Sequence, residues 1–145
     1  MSYPVASDDE LHRNERLVEV RLTKWMMMAE LCRKAINAPR LSDRVEITHR
    51  AVCLMSPEER EEVGVKADSK WFVAAFVTAK KCEVYPHALQ ASESEAEKRF
   101  ENGMLERLHE IEKEVSEILH RVLERFVERQ KLLRHIKDIA DATSI

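Results

Sequence analysis

Glycine is almost absent from this chain: there are two in 145 residues, alongside four prolines and three cysteines. So few turn-forming residues leave little to reverse a β-hairpin, which argues against a fold of many short strands. Cys32, Cys53 and Cys82 are odd in number and form no C-x-x-C pair. That argues against a disulfide framework or a cysteine zinc site, and reduced, buried thiols are the expectation. No glycine-rich phosphate loop, G-x-S-x-G elbow or oriented Cys/His pair is present. The longest largely apolar run, Trp71 to Ala79, falls well short of the roughly 20 residues that span a bilayer. The first residues have neither the basic nor the apolar region of a secretory signal, so a soluble, intracellular and cytoplasmic protein is expected. A formal net charge of −3 gives the whole chain no bulk attraction for a polyanion.

What is abundant is charge, at 35% of residues beside 44% hydrophobic. Many Glu, Lys, Arg, Leu and Ala with little Gly or Pro is the composition of long helices. The spacing agrees. Met104, Leu108, Ile111, Val115, Ile118 and Val122 alternate by four and three residues, which keeps one apolar seam facing a neighbouring helix. Phe126, Leu133 and Ile136 continue it, with a change of phase after Val122 and with Arg129 or Gln130 where an apolar residue is due. About 50 helical residues would reach about 75 Å, longer than a compact domain of this size. Either the helix bends near Asn102-Gly103 or its end projects beyond the rest.

Upstream, Ser7 and Glu10 form a capping box for a first helix. Its seam is Leu11, Val18, Leu22, Trp25, Ala29, Cys32 and Ile36, with Leu17, Val20, Met27 and Leu31 as a flanking stripe. Asn37 and Pro39 end it. Ser42 or Asp43 can cap a second helix, and Ser56-Pro57-Glu58-Glu59 opens a short third one that stops at Gly64. Asp68 or Ser69 starts a fourth, to about Glu83. Trp71, Phe72, Val73, Phe76 and Val77 make this fourth helix apolar on nearly every side, the mark of a central helix or an interface. A strand over this run also fits, but Ala74, Ala75, Ala79 and Lys80-Lys81 favour helix. Ser92 and Glu95 form a capping box for the long helix. The expected fold is an all-α, elongated helical bundle: a flexible N-terminus over 1–6, a bundle over 7–87, and a coiled-coil-like helix over 88–145. That last helix would pair with helix one, a partner chain, or both.

Charge is segregated along the long helix. Nine glutamates over 93–117, including Glu106, Glu110 and Glu117, outweigh four cations for a net of about −5. Arg121, Arg125, Arg129, Lys131, Arg134 and Lys137 then outweigh two glutamates for about +4. The helix dipole favours that order. Two copies laid antiparallel would also match acid to base, as would Asp8, Asp9 and Glu10 of helix one meeting the basic end. A solvated face is the plainer reading.

Three E-x-x-H spacings, Glu46/His49, Glu106/His109 and Glu117/His120, resemble half of a di-iron carboxylate site in a helical bundle. With 21 glutamates in the chain some matches arise by chance, and the other helices offer no obvious inward glutamates. The basic stretch at 121–137 could meet phosphate, but glutamates interrupt it. Trp25, Met27, Met28, Trp71, Phe72 and Phe76 are candidates for a partner surface, but core filling is the stronger reading of the Trp25–Met28 cluster, and Trp71 to Val77 is expected to be buried helix. The sequence therefore points to a non-enzymatic interaction, scaffold or adaptor module with no cofactor. It would bind protein partners through helix packing, as a homodimer or a hetero-coiled coil. A small metal-dependent bundle enzyme or a nucleic-acid-associated factor is the alternative.

Overall fold

A computed structural model describes the backbone over residues 8–84 and 95–143; the side chains of 8–21, and of a few positions around 95–101 and at 140 and 143, lie outside the description. Among the described residues there are five helices and no strand: α1 (Asp8–Asn37), α2 (Leu41–Cys53), α3 (Pro57–Val63), α4 (Ser69–Val84) and α5 (Glu95–Thr143). The fold is an all-α bundle with a long C-terminal helix. The proposed boxes at Ser7/Glu10 and Ser92/Glu95 lie outside the described residues, as does the N-terminal segment 1–6.

Local chemistry accounts for most helix ends. Ser56 Oγ accepts from Glu59 N (3.2 Å) while Ser56 N donates to Glu59 Oε1 (3.0 Å), a complete capping box with Pro57 in the first turn. Gly64 closes α3 at φ 76°, the left-handed conformation that costs a side chain dearly. Asp68 Oδ1 accepts from Trp71 N at 2.9 Å and starts α4. The cap expected at Ser42 or Asp43 is a correction. Arg40 takes the N-cap position and offers no side-chain bond. Ser42 is instead the buried second residue of the helix, and its N and Oγ both donate to the Glu83 carboxylate, at 3.0 and 2.6 Å. The end of α4 thus supplies the anion that the start of α2 needs.

The core draws on every helix. Trp25, Met28, Ala29, Cys32 and Ala35 of α1 meet Val45, Ala51 and Val52 of α2 and Met55 just after it, with Phe72, Ala75 and Ala79 of α4. Ile111, Val115, Ile118, Leu119, Val122 and Phe126 of α5 close it, and Val63 enters from α3. In α1 the buried residues Trp25, Met28, Cys32 and Ala35 are spaced by three, four and three, a stripe beside the expected one. Ile36, expected in a heptad seam, is exposed, while Met28 and Ala35 are inside. Cys32 is fully buried and burial pushes its thiol up to about 12, only partly offset by neighbouring Arg33, so it packs as a small hydrophobe. Cys53 departs from the expectation of buried thiols: it ends α2 on the outer side and is exposed.

The central helix is α2, which packs on α1, α4 and α5. The expectation of a central α4 is therefore corrected: α4 lies at an edge, chiefly on α2 and lightly on α5. Its inner face is buried, Trp71 and Phe76 are half-buried, and Val73 and Val77 are 58% and 43% exposed. Asn102-Gly103 lies within α5 without interrupting it. Phe72→Ala should cost about 3–5 kcal/mol in denaturant unfolding and Phe76→Ala roughly half of that. Val73→Ser should stay within about 0.5 kcal/mol. An equal cost at Phe72 and Val73 would contradict the edge position of α4.

Candidate functional site

The long-helix seam divides into three parts. Ile111, Val115, Ile118, Val122 and Phe126 are buried within the chain; Met104, Leu108 and Leu133 are half-buried; Ile136 is 48% exposed. Past Phe126 the stripe Leu132, Ile136 and Ile139 is exposed, with Leu132 at 59%. The three are spaced by four and three residues, so they lie on one face. The seam reading by itself does not separate this stripe from the core, because a straight helix drifts relative to a strict heptad.

Arg129 shows how the phase change after Val122 is absorbed. Its guanidinium sits 4.5 Å from the centre of the Trp25 ring, and Nη2 donates to both oxygens of Glu62 at 2.8 Å. A cation on an indole face fills the place where an apolar side chain is due, and its charge is met by α3. Arg33 approaches Phe126 at 5.8 Å in the same way. Together the two contacts run α1 antiparallel to α5, since 25 pairs with 129 and 33 with 126. The proposed meeting of Asp8, Asp9 and Glu10 with the basic end lies outside the described side chains.

Part of the segregated charge is engaged within the chain, chiefly beside the buried stretch of α5. Glu117 pairs with Arg121 at 3.8 Å, and Arg121 also donates to the Gly64 carbonyl at 3.3 Å. Arg125 pairs with Glu128 at 3.2 Å, and Arg107 with Glu110 at 3.5 Å. Glu106 and Arg134 are exposed and make no ion pair among the described residues. Lys24 and Glu59 join α1 to α3. Burial alone would raise the Glu59 carboxyl, but hydrogen bonds from Lys24 and Ser56 and the lysine charge outweigh it and hold the group below its ordinary 4.5.

Of the six candidates for a partner surface, Trp25, Met28 and Phe72 are core residues, each at most 2% exposed, and this corrects their assignment. Met27 is exposed, and Trp71 and Phe76 are half-buried. Phe76 helps form a groove between α2 and α4 of about 230 Å³, lined by Val45, Glu46, His49, Phe72, Val73 and Phe76. The His49 ring stacks on Phe72 (centroids 4.7 Å apart, 8° between planes), and Trp71 meets Phe72 edge-on at 5.1 Å. His49 Nε2 is buried there with no hydrogen-bond partner, a condition that costs about 1–3 kcal/mol when nothing fills it. Sequence spacing draws attention to Glu46 and His49 but not to the phenylalanine beneath them.

The other E-x-x-H pairs point elsewhere. Glu106 and His109 are exposed, and His120 Nε2 lies 2.9 Å from Glu124 on the surface of α5. Glu46 meets Arg50 at 2.9 Å. Among the described residues no three His, Cys, Asp or Glu side chains converge as a metal-binding group. Nor is any helix there long and apolar enough to cross a membrane. No protein-family model matches the chain, and no curated protein or solved structure does so either.

The depressed Glu59 carboxyl has a testable sign. Its contribution is present above the ordinary value of 4.5 and is lost as pH falls through the lower folded value. Lys24→Met should therefore destabilise the protein near neutrality, and its difference from wild type should shrink steadily below about pH 4.5. Unfolding midpoints measured across that range check this; a pH-independent difference would show that lysine packing, not charge, joins α1 to α3.

Proposed function

We propose that the protein is a non-enzymatic assembly module that works by packing its helices against those of another chain. The observation that carries this reading is the exposed stripe Leu132, Ile136 and Ile139. Single exposed apolar residues are ordinary on a protein surface. A run on one face of a helix, beyond the buried stretch of the same helix, is different. Each large side chain left in water forgoes roughly 1.5–3 kcal/mol that a partner helix would recover.

The same helix offers a way to select orientation. Its first half is acidic and its last half basic, and exposed Glu106 and Arg134 stand in the two halves. A second copy laid antiparallel, with the stripe of each chain against the acidic half of the other near exposed Leu105, would bring unlike halves together, favouring that register over a parallel one. Self-association through the C-terminal part of α5 is accordingly the form of assembly put forward.

Light scattering across a concentration series measures this directly. Wild type should approach twice the monomer mass by about 100 μM, and Leu132→Glu with Ile136→Glu should return it to the monomer. Because both positions are exposed, unfolding should change little. Substitution at Ile118 or Val122 would instead probe the core. A wild type that stays monomeric over that range would overturn self-association.

A further inference from the structure

We propose that the α2–α4 groove is the docking site for an acidic amphipathic helix of a partner protein, which seats a tyrosine side chain against His49. This rests on the reading of the protein as a helix-packing module and assigns it a second surface, separate from α5.

The size and walls of the groove suit one side chain. About 230 Å³ lies below the ~300–1,000 Å³ usual for small-molecule sites, and five of its six lining residues present rings or branched aliphatic groups. The sixth, Glu46, is held by Arg50. An aromatic ring entering here would extend the stack that Phe72 and His49 already form. Its polar tip would then reach Nε2 of His49, the buried atom with no partner. A phenolic hydroxyl can donate or accept, so it satisfies that nitrogen in either neutral tautomer. Phenylalanine would fill the same space and leave Nε2 unpaired.

The surface beside the groove continues it along α4. Val73, Val77 and Val84 share one face of the helix at helical spacing, and all three are exposed. This is the i, i+4 pattern that a groove-bound helix reads. Lys70, Lys80 and Lys81 border those valines and pair with no acid among the described residues. The one acid of α4, Glu83, is turned inward onto Ser42. The outward face is thus apolar with a cationic border, which complements a helix with apolar anchors and acidic flanks. A second copy fits less well. Between Glu106 and Glu117 its acidic α5 exposes no large hydrophobic residue, Leu105 standing just before that stretch, and so it offers no row of anchors.

Fluorescence anisotropy on the full chain tests this with labelled helical peptides of about 18 residues, or five turns. One carries leucine and a central tyrosine as anchors with glutamate elsewhere; a second replaces the tyrosine by phenylalanine; a third replaces the glutamates by lysine. The acidic tyrosine peptide should bind saturably, the phenylalanine version severalfold more weakly, and the lysine version at least about tenfold more weakly. His49→Phe keeps the ring stack and should abolish the preference for tyrosine. Val73→Ser, and Lys80→Glu with Lys81→Glu, alter exposed positions and should each weaken binding by about tenfold, so they carry the test if His49→Phe does not fold. Equal binding of acidic and basic peptides, indifference to both surface variants, or no saturation by about 100 μM would overturn the proposal. Molar mass measured on the same samples separates the two ideas. Peptide failure with self-association intact removes the groove alone, whereas failure of both removes the helix-packing reading as well.

Discussion

The length of α2 is the constraint on which the rest of the molecule depends. Held between Pro39 and the Ser56-Pro57 start signal, its thirteen residues make a helix of about 20 Å, and this helix packs on α1, α4 and α5. The bundle can be only as tall as its central member. On α5 the buried stretch runs from Ile111 to Phe126, about 23 Å, close to the lengths of α2 and of α4 at about 24 Å. Yet α5 has 49 residues and extends about 74 Å. Most of it has no four-helix layer to enter. Its pattern of large hydrophobics nonetheless continues for more than a turn past the core, to Ile139.

The same constraint explains α4. A helix that packs on one central neighbour needs one apolar face, supplied by Phe72, Ala75 and Ala79. The valines on the opposite side contribute nothing to that packing. A sequence selected only for the stability of this bundle would place polar residues there, as it does at Lys70, Lys80 and Lys81. Retaining Val73, Val77 and Val84 beside those lysines is therefore a fact about the outer surface and not about the core.

Much of the fold was legible because its signals are local. Pro39, the Ser56–Glu59 box, Gly64 and Asp68 act within a few residues of themselves, and they place four helix ends, in α1, α3 and α4. The start of α2 was not legible, because its anion comes from Glu83, 41 residues away. On α5 spacing and burial coincide from Ile111 to Phe126. Beyond it, spacing cannot say whether a neighbouring helix is present. In α1 the heptad reading put Ile36 inside and missed Ala35, because Trp25, Met28, Cys32 and Ala35 repeat by three and four just as Trp25, Ala29, Cys32 and Ile36 do, and spacing cannot choose between the two adjacent stripes. Within the candidate site, Glu46 and His49 stood out from their spacing. The wall they share with Phe72, Val73 and Phe76 is a tertiary fact that no local pattern encodes.

Arg129 shows why charge pattern and apolar pattern should be read together. In a list of charges it belongs to the basic half of α5; in the seam it is an interruption. In three dimensions it is neither a free cation nor a defect, since Trp25 takes its flat face and Glu62 its Nη2 protons. Arg121 and Arg125 are likewise engaged within the chain. The cations left to face outward therefore lie further along the helix, at Lys131, Arg134 and Lys137, beside the exposed stripe. Charge near the bundle is used to hold α3 and α1 in place, and charge beyond it is left to act on whatever meets the apolar end of α5. An association that used the outer set would leave the inner set undisturbed, so assembly at the end of α5 and folding around α2 are physically separable.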